Sequence, residues 1–301
     1  TARLGGMFME FKGKAATYLA AMSVIVIWGV TFVSTKYLLV WLTPTEILLC
    51  RYVIAYAVFF AMNPRPLPLL PRKDELTAAF CGLLGMTLYF IFENTSLLFT
   101  TASNCSLIAA SAPMMTGVLA NLMTPDEKFT RRFLIGCVLG FCGIFLIVCN
   151  GHFVLRLNPL GDMLVVLAAL SFSLYSVKLR SIGGKYPAEV VTRKMIFYSL
   201  LSLAPFALTP QVSWKPRALM EFSVWSNLLF LGALASAYCF FTWNKVIMSL
   251  GAVKANVMIY LSPAVTMVCA AIILKEKITP LAVAGGLLIL AGVYIAQKGK
   301  N

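Results

Sequence analysis

The sequence is poor in charge, poorer still in acid, and almost without histidine. Only 12% of its 301 residues are Asp, Glu, Lys or Arg, about half the share usual in soluble domains. So few charges cannot coat a water-facing particle, which excludes a soluble enzyme or a soluble nucleic-acid-binding domain. The single histidine, His152, sits in a loop beside Gly151, so a histidine-built metal centre is not expected. No Cys-x-x-Cys occurs. The eight cysteines lie nearly all in apolar runs, where a thiol packs as a small hydrophobe, and they read as free. There is no His-Glu-x-x-His motif and only one carboxylate deep in an apolar run, which leaves a membrane enzyme without catalytic groups. A phosphate-cradling Gly-x-x-x-x-Gly-Lys-Ser/Thr loop is missing too, so ATP hydrolysis is not expected. No cofactor is implied.

What the chain has instead is apolar length. Residues of the set AVILMFWYC make up 60%. They fall into ten segments, at about 15–35, 44–62, 75–98, 103–123, 131–149, 159–180, 187–207, 222–248, 252–274 and 280–297. Each approaches the ~20 residues that a helix needs to cross ~30 Å of hydrocarbon. Turn residues separate them, as in Asn63-Pro64-Arg65-Pro66 and Gly183-Gly184. Thr1–Gly6, ahead of Met7, reads as an appended remnant of the tail 1–14. The basic excess, +14 overall, is then an orientation signal rather than a nucleic-acid footprint. With the N-terminus in the cytoplasm, sixteen of the 25 Lys and Arg fall on inner connections and tails and six on outer ones. That bias places both termini inside a cell (inner or plasma) membrane.

The halves repeat. At a shift of 150 residues Gly82 meets Gly232, Phe90 meets Phe240, Asn94 meets Asn244 and Pro113 meets Pro263. At 149, Glu127-Lys128-x-Thr130 meets Glu276-Lys277-x-Thr279, Gly136 meets Gly285 and Gly143 meets Gly292. Pro44-x-Glu46 meets Pro187-x-Glu189 at 143. Five segments is an odd number, so the second half enters the membrane from the opposite side. Inverted repeats of this kind suit secondary transporters, because two arrangements of near-equal energy exchange which side is open.

The duplicated run from Pro113 to Asp126-Glu127-Lys128-Phe129-Thr130, Gly136 and Gly143, with Trp28-Gly29 and with Arg51 seven residues after Pro44, resembles the drug/metabolite transporter superfamily and within it the EamA-type transporters. The second half departs at Leu170-Ser171, opposite Trp28-Gly29, and at Lys194, opposite Arg51. The resemblance implies ten helices, cytoplasmic termini and a central cavity lined by segments 1, 3, 4, 6, 8 and 9. It also implies transport of small metabolites, often export of amino acids or related compounds.

Polar residues inside the segments name the candidate site. Tyr89, Glu93 and Ser96 share one helix face. Glu93 either binds an amino group of a substrate, carries a coupling proton, or is tied in a structural ion pair with Arg51 or Lys36. Asn94 and Asn244 are repeat-related amides, read equally as gates or as interhelical glue. Asn104 and Ser111 share a face, as do Asn256, Tyr260 and Pro263, then Ser171 and Tyr175, then Trp28, Thr31 and Thr35. The aromatics among them either line a cavity or simply pack. Pro113 and Pro263 fall near the midpoints of segments 4 and 9, where a lost backbone donor permits a hinge or a static kink. Gly136, Gly140, Gly143, Gly285 and Gly292 form small-residue stripes for close packing on segments 4 and 9 or at a dimer face. Glu46 and Glu189 read as helix-start residues.

These readings predict an all-α integral membrane protein of ten transmembrane helices in two inverted five-helix repeats, 15–149 and 159–297. The expected function is secondary transport of a small metabolite, leaning to export of an amino acid or related amine, as a monomer or homodimer in the bilayer. A passive facilitator for organic anions is the alternative. A C-terminal reporter active only outside the cytoplasm should stay silent, and a cytoplasm-active one should signal; the reverse pattern overturns the orientation.

Overall fold

The structure, a computed structural model, describes residues 13–100, 105, 108–124, 130–149, 158–208, 212, 220–265 and 279–298. All regular structure among them is helical. In chain order the helices are α1 (Lys14–Leu38), α2 (Pro44–Met62), α3 (Arg72–Ser96), α4 (Ala112–Met123), α5 (Arg131–Cys149), α6 (Pro159–Arg180), α7 (Ala188–Ala207), α8 (Phe222–Leu250), α9 (Ala252–Val265) and α10 (Pro280–Gln297). Six of them, α1, α2, α3, α6, α7 and α8, are long and apolar enough to cross a membrane.

Local chemistry sets several of the helix ends. Pro44 opens α2, where its missing N–H is not needed. Thr43 Oγ1 accepts from the Glu46 amide at 3.3 Å, and Glu46 Oε2 accepts from the Thr43 amide at 2.7 Å, a complete capping box. Glu46 is therefore the helix-start residue expected. Its repeat counterpart Glu189 sits in the first turn of α7, but its carboxylate accepts from Asn63 Nδ2 at 3.2 Å across the connection after α2. Asn158 caps α6 by accepting from the Gly161 amide at 3.1 Å. Between α8 and α9 the chain reverses at a single residue, Gly251, whose φ of 87° favours glycine.

Two helices contain wide π-helical stretches, Leu83–Leu88 in α3 and Phe230–Tyr238 in α8. They occupy matching places in the two halves, and each follows or contains a glycine pressed against the other half. A Cβ on Gly82 would strike the Met195 carbonyl of α7, and one on Gly232 would stand 2.6 Å from Ile54 of α2. The helix pairing shows the same exchange. α2 packs on α8 and α7 on α3, while α1 lies on α8 and α6 on α3.

The bundle sets charged and amide side chains within its apolar core and turns large apolar side chains outward. Arg51, Glu93, Asn94, Arg193, Lys194, Asn244 and Asn256 are buried, whereas Leu19, Val53, Leu76, Leu122, Leu201 and Leu287 point outward. A water-soluble fold has the opposite arrangement, so the outward surface suits lipid.

The glycine stripes pair α5 with α10 rather than forming a free dimer face, and each helix also touches α4 or α9 as expected. A Cβ on Gly136 would lie 2.5 Å from the Gly292 carbonyl, and one on Gly143 would lie 2.5 Å from the Gly285 carbonyl; the reciprocal distances are both 2.6 Å. The register is antiparallel, and the two backbones touch because no side chain intervenes. Gly140 instead makes room for the Tyr260 ring. Gly143→Leu should lower the stability of the solubilised protein by about 1–3 kcal/mol by overpacking. An unchanged thermal melt in detergent would show that this contact does not hold the pair together.

Candidate functional site

Four helices from both halves bring aromatic rings to one place. Trp28 of α1 lies 5.2 Å from Trp243 and 5.7 Å from Phe240, both on α8, and 6.3 Å from Phe172 on α6. Phe172 continues to Tyr89 of α3 at 5.2 Å and to Tyr175 at 5.3 Å. Phe90 links α3 back to Phe240 at 6.0 Å. The residues on α3 and α8 stand just beyond the two π-helical stretches, which set the face they present. Such wide turns recur at functional sites.

Glu93 hangs in this aromatic wall. It is 7% exposed, and its Oε1 accepts from the Tyr89 hydroxyl one turn earlier at 2.8 Å. The ion-pair reading is corrected here. Lys36 is exposed on α1, and Arg51 exerts a charge on Glu93 without bonding to it. Arg51 instead donates from Nε to Ser236 Oγ at 2.8 Å and lays its guanidinium 4.2 Å from the Phe90 ring centre. Ser96, expected on the Glu93 face, turns back to donate to the Glu93 carbonyl at 2.7 Å.

The repeat-related amides differ. Asn244 is locked on every side: Tyr175 donates its hydroxyl to Oδ1, and Nδ2 donates to Thr192 Oγ1 at 2.8 Å. This ties α8 to α6 and α7. Asn94 is equally buried, yet its Nδ2 has no partner. Asn256 forms a separate bridge, donating to Thr116 Oγ1 of α4 at 2.6 Å and accepting from Ser176 of α6 at 3.5 Å. Trp28 donates to the Ala235 carbonyl at 3.3 Å.

The expected residues thus separate into groups. Trp28, Tyr89, Glu93 and Tyr175 meet through the ring cluster, and Asn244 joins through Tyr175. Ser171 is buried on α6. Tyr260 is buried against Gly140 of α5, and with Asn256 it stands outside the cluster. Asn104 lies outside the described residues, as do Glu127, Lys128, Glu276 and Lys277. Pro113 occupies the first turn of α4, just after a turn at 110–111. Residues 108 and 109 ahead of that turn are helical as well. Pro263 lies within α9, just after the tightened 3₁₀ turn Met258–Tyr260. The sequence reading did not place Phe172, Phe240, Trp243, Thr192 or Ser236 in the site. Phe240 and Trp243 had a signal, their nearness to the repeated Asn244; Phe172 had none.

A second polar group joins the start of α3 to α7. Lys194 Nζ contacts Glu75 at 2.6 and 2.8 Å, and Tyr198 also donates to Glu75. Asp74 pairs with Lys185 at 3.2 Å and accepts from Tyr186 at 2.7 Å; that bond pushes the Tyr186 phenol above its ordinary pKa. Arg193 donates to the carbonyls of Asn63 and Arg65 and lies over the Tyr56 and Phe60 rings. Lys194 and Lys185 are matched by Glu75 and Asp74, while Arg193 keeps a buried Nε without a partner; the group ties α7 to the neighbouring connections and reads as structural.

The model of the EamA-like transporter family matches residues 15–149 and 159–297. An uncharacterized transporter of Archaeoglobus fulgidus is 26% identical over 296 residues, covering 96% of this chain and 99% of that protein. A probable amino-acid metabolite efflux pump of Salmonella typhimurium is 25% identical, covering 93% and 94%. A probable terminal-alkyne amino-acid exporter of Streptantibioticus cattleyicolor is 27% identical over 232 residues, covering 76% and 75%. One solved crystal structure superposes with a TM-score of 0.77 at 20% identity, covering 94% of this chain and 98% of that one; it shares the fold.

Tyr175→Phe should strip Asn244 of a buried donor and destabilise the protein by about 1–3 kcal/mol. A melting temperature equal to wild type would mean that the amide lock contributes nothing to holding α6 and α8.

Proposed function

The chain belongs to the EamA-like transporter family, within the drug/metabolite transporter superfamily, and from that premise we propose that it moves an amino acid or related amine out of the cell by alternating access. The observation that carries this reading is Glu93, a buried carboxylate held by Tyr89 in a wall of aromatic rings drawn from both halves. A carboxylate flanked by ring faces suits an ammonium group, which gains from both. The names of the Salmonella and Streptantibioticus relatives support an amino-acid cargo and the outward direction.

The two halves act as inverted five-helix repeats, with ten spans and cytoplasmic termini. The exchanged helix pairing, the matching π-helical stretches and the reciprocal α5–α10 contact support this arrangement. In that orientation Asn244 lies toward the cytoplasmic end of α8. Its bonds to Tyr175 and Thr192 close the inner side and must break for loading. Asn94, its unlocked counterpart, lies toward the outer end of α3. Pro113 and Pro263, each next to an irregular turn, allow α4 and α9 to bend as access changes. Glu93 also offers a proton-carrying group.

The test is flux of labelled amino acids and amines through proteoliposomes, with and without a pH gradient. Uptake driven by the gradient, and loss of that drive in Glu93→Gln at equal protein incorporation, is the expected result. Transport by Glu93→Gln at the wild-type rate and with wild-type gradient dependence would remove Glu93 from the mechanism. Flux indifferent to the gradient would leave a uniporter, the passive reading.

A further inference from the structure

Arg51 is buried in the interior with no ion pair among the described residues. Its side chain is 1% exposed, held by Ser236 through Nε and by the Phe90 ring below, while Nη2 is buried with no hydrogen-bond partner. Asn94 lies one helical turn beyond Phe90 on the same face of α3. It too is 1% exposed with an unpartnered N–H₂ group. Phe90 lies under the Arg51 guanidinium and one turn before Asn94; two orphaned buried donors are costly, and an acceptor with two oxygens would suit both. The π-helical turns place both parties: Ser236, which orients Arg51, lies within that of α8, and Phe90 and Asn94 follow that of α3.

Arg51 and Glu93 are near enough for their charges to act on one another but do not pair. An unpaired plus and an unpaired minus in a low-dielectric wall select the ligand. A simple amine would neutralise Glu93 and leave Arg51 uncompensated. A simple carboxylate would do the reverse. A zwitterion compensates both at once. We propose that Arg51 and Asn94 form a carboxylate-binding subsite, so that the cargo is a molecule carrying ammonium and carboxylate close together, held between Glu93 and Arg51. This rests on the amino-acid reading above and narrows it: the acid group is required, and Arg51, rather than Glu93 alone, sets specificity.

The experiment uses the purified full chain in lipid nanodiscs, with binding measured by calorimetry and transport by counterflow in proteoliposomes. Two matched triads serve as probes: phenylalanine, phenethylamine and 3-phenylpropionate, then leucine, isoamylamine and 4-methylpentanoate. Each amino acid should bind at least tenfold more tightly than its amine and its acid. In Arg51→Gln the amino-acid-to-amine affinity ratio should fall to about one. Should that variant fail to fold, Asn94→Asp sets a negative charge against the ligand carboxylate and should lower the same ratio. If the amine binds as tightly as the amino acid, the subsite is wrong while amine transport stands. If the carboxylate alone matches the amino acid, the requirement for a zwitterion between Glu93 and Arg51 is wrong; if the ratio survives both folded variants, the subsite is wrong. If no member of either triad binds or moves, the amino-acid reading fails and takes the subsite with it.

Discussion

A charge set between helices that face hydrocarbon has no water to turn to, and the interior of this protein is arranged around that constraint. Lys194 meets it with both oxygens of Glu75, and Tyr198 adds a further donor. Arg193 meets it with two backbone carbonyls and two ring faces. Arg51 and Glu93 meet it only in part, each with one hydrogen bond inside the protein. The contrast separates scaffold from site. Lys194 and Glu75 match charge for charge and fasten α7 to the start of α3; Arg51 and Glu93, set in the aromatic wall, have no such pairing among the described residues. Because the outward surface is apolar, such incomplete matching is affordable only deep in the bundle.

The π-helical stretches explain how this interior is reached from a simple helical pattern. One residue added to a turn rotates everything after it by about 100° relative to an ordinary helix. In α3 that offset comes immediately before Tyr89, and in α8 immediately before Cys239 and Phe240. The aromatic faces of both helices are therefore aimed by backbone geometry laid down one turn earlier, against glycines that let the opposite half approach. Asn94 and Asn244 both follow such an offset, so their difference lies in the partners that the other helices offer. They are equivalent in sequence, but Asn244 finds hydroxyls at Tyr175 and Thr192.

Much of this was legible in the residues, and what was not has a common cause. The Thr43–Glu46 capping box and the Tyr89–Glu93 bond span three and four residues, a range that helix geometry fixes. The repeat was visible because it is a comparison of the chain with itself. Gly136 and Gly143 announced a close contact, but not that Gly292 and Gly285 would fill it. Arg51 was visible as a charge within a segment, yet its role depends on Ser236, 185 positions away. Glu189 read like Glu46, but the connection after α2 offered Asn63 and drew its carboxylate away. Phe172 carries no mark in sequence that separates it from the other apolar residues of α6. Local rules reached the elements, and partners between distant segments needed the fold.

The α5–α10 contact has one further property. Gly136 meets the carbonyl of Gly292 as Gly292 meets that of Gly136, and Gly143 and Gly285 are related in the same way. Exchanging the two helices leaves the contact unchanged, the defining mark of an isologous interface between identical subunits, here folded into a single chain. A contact of that kind is indifferent to which half is tilted which way. Under the alternating access proposed above, such a contact would be a pivot that favours neither direction, and a bias between the two states would then come from places where the halves differ, Asn244 and Arg51 foremost.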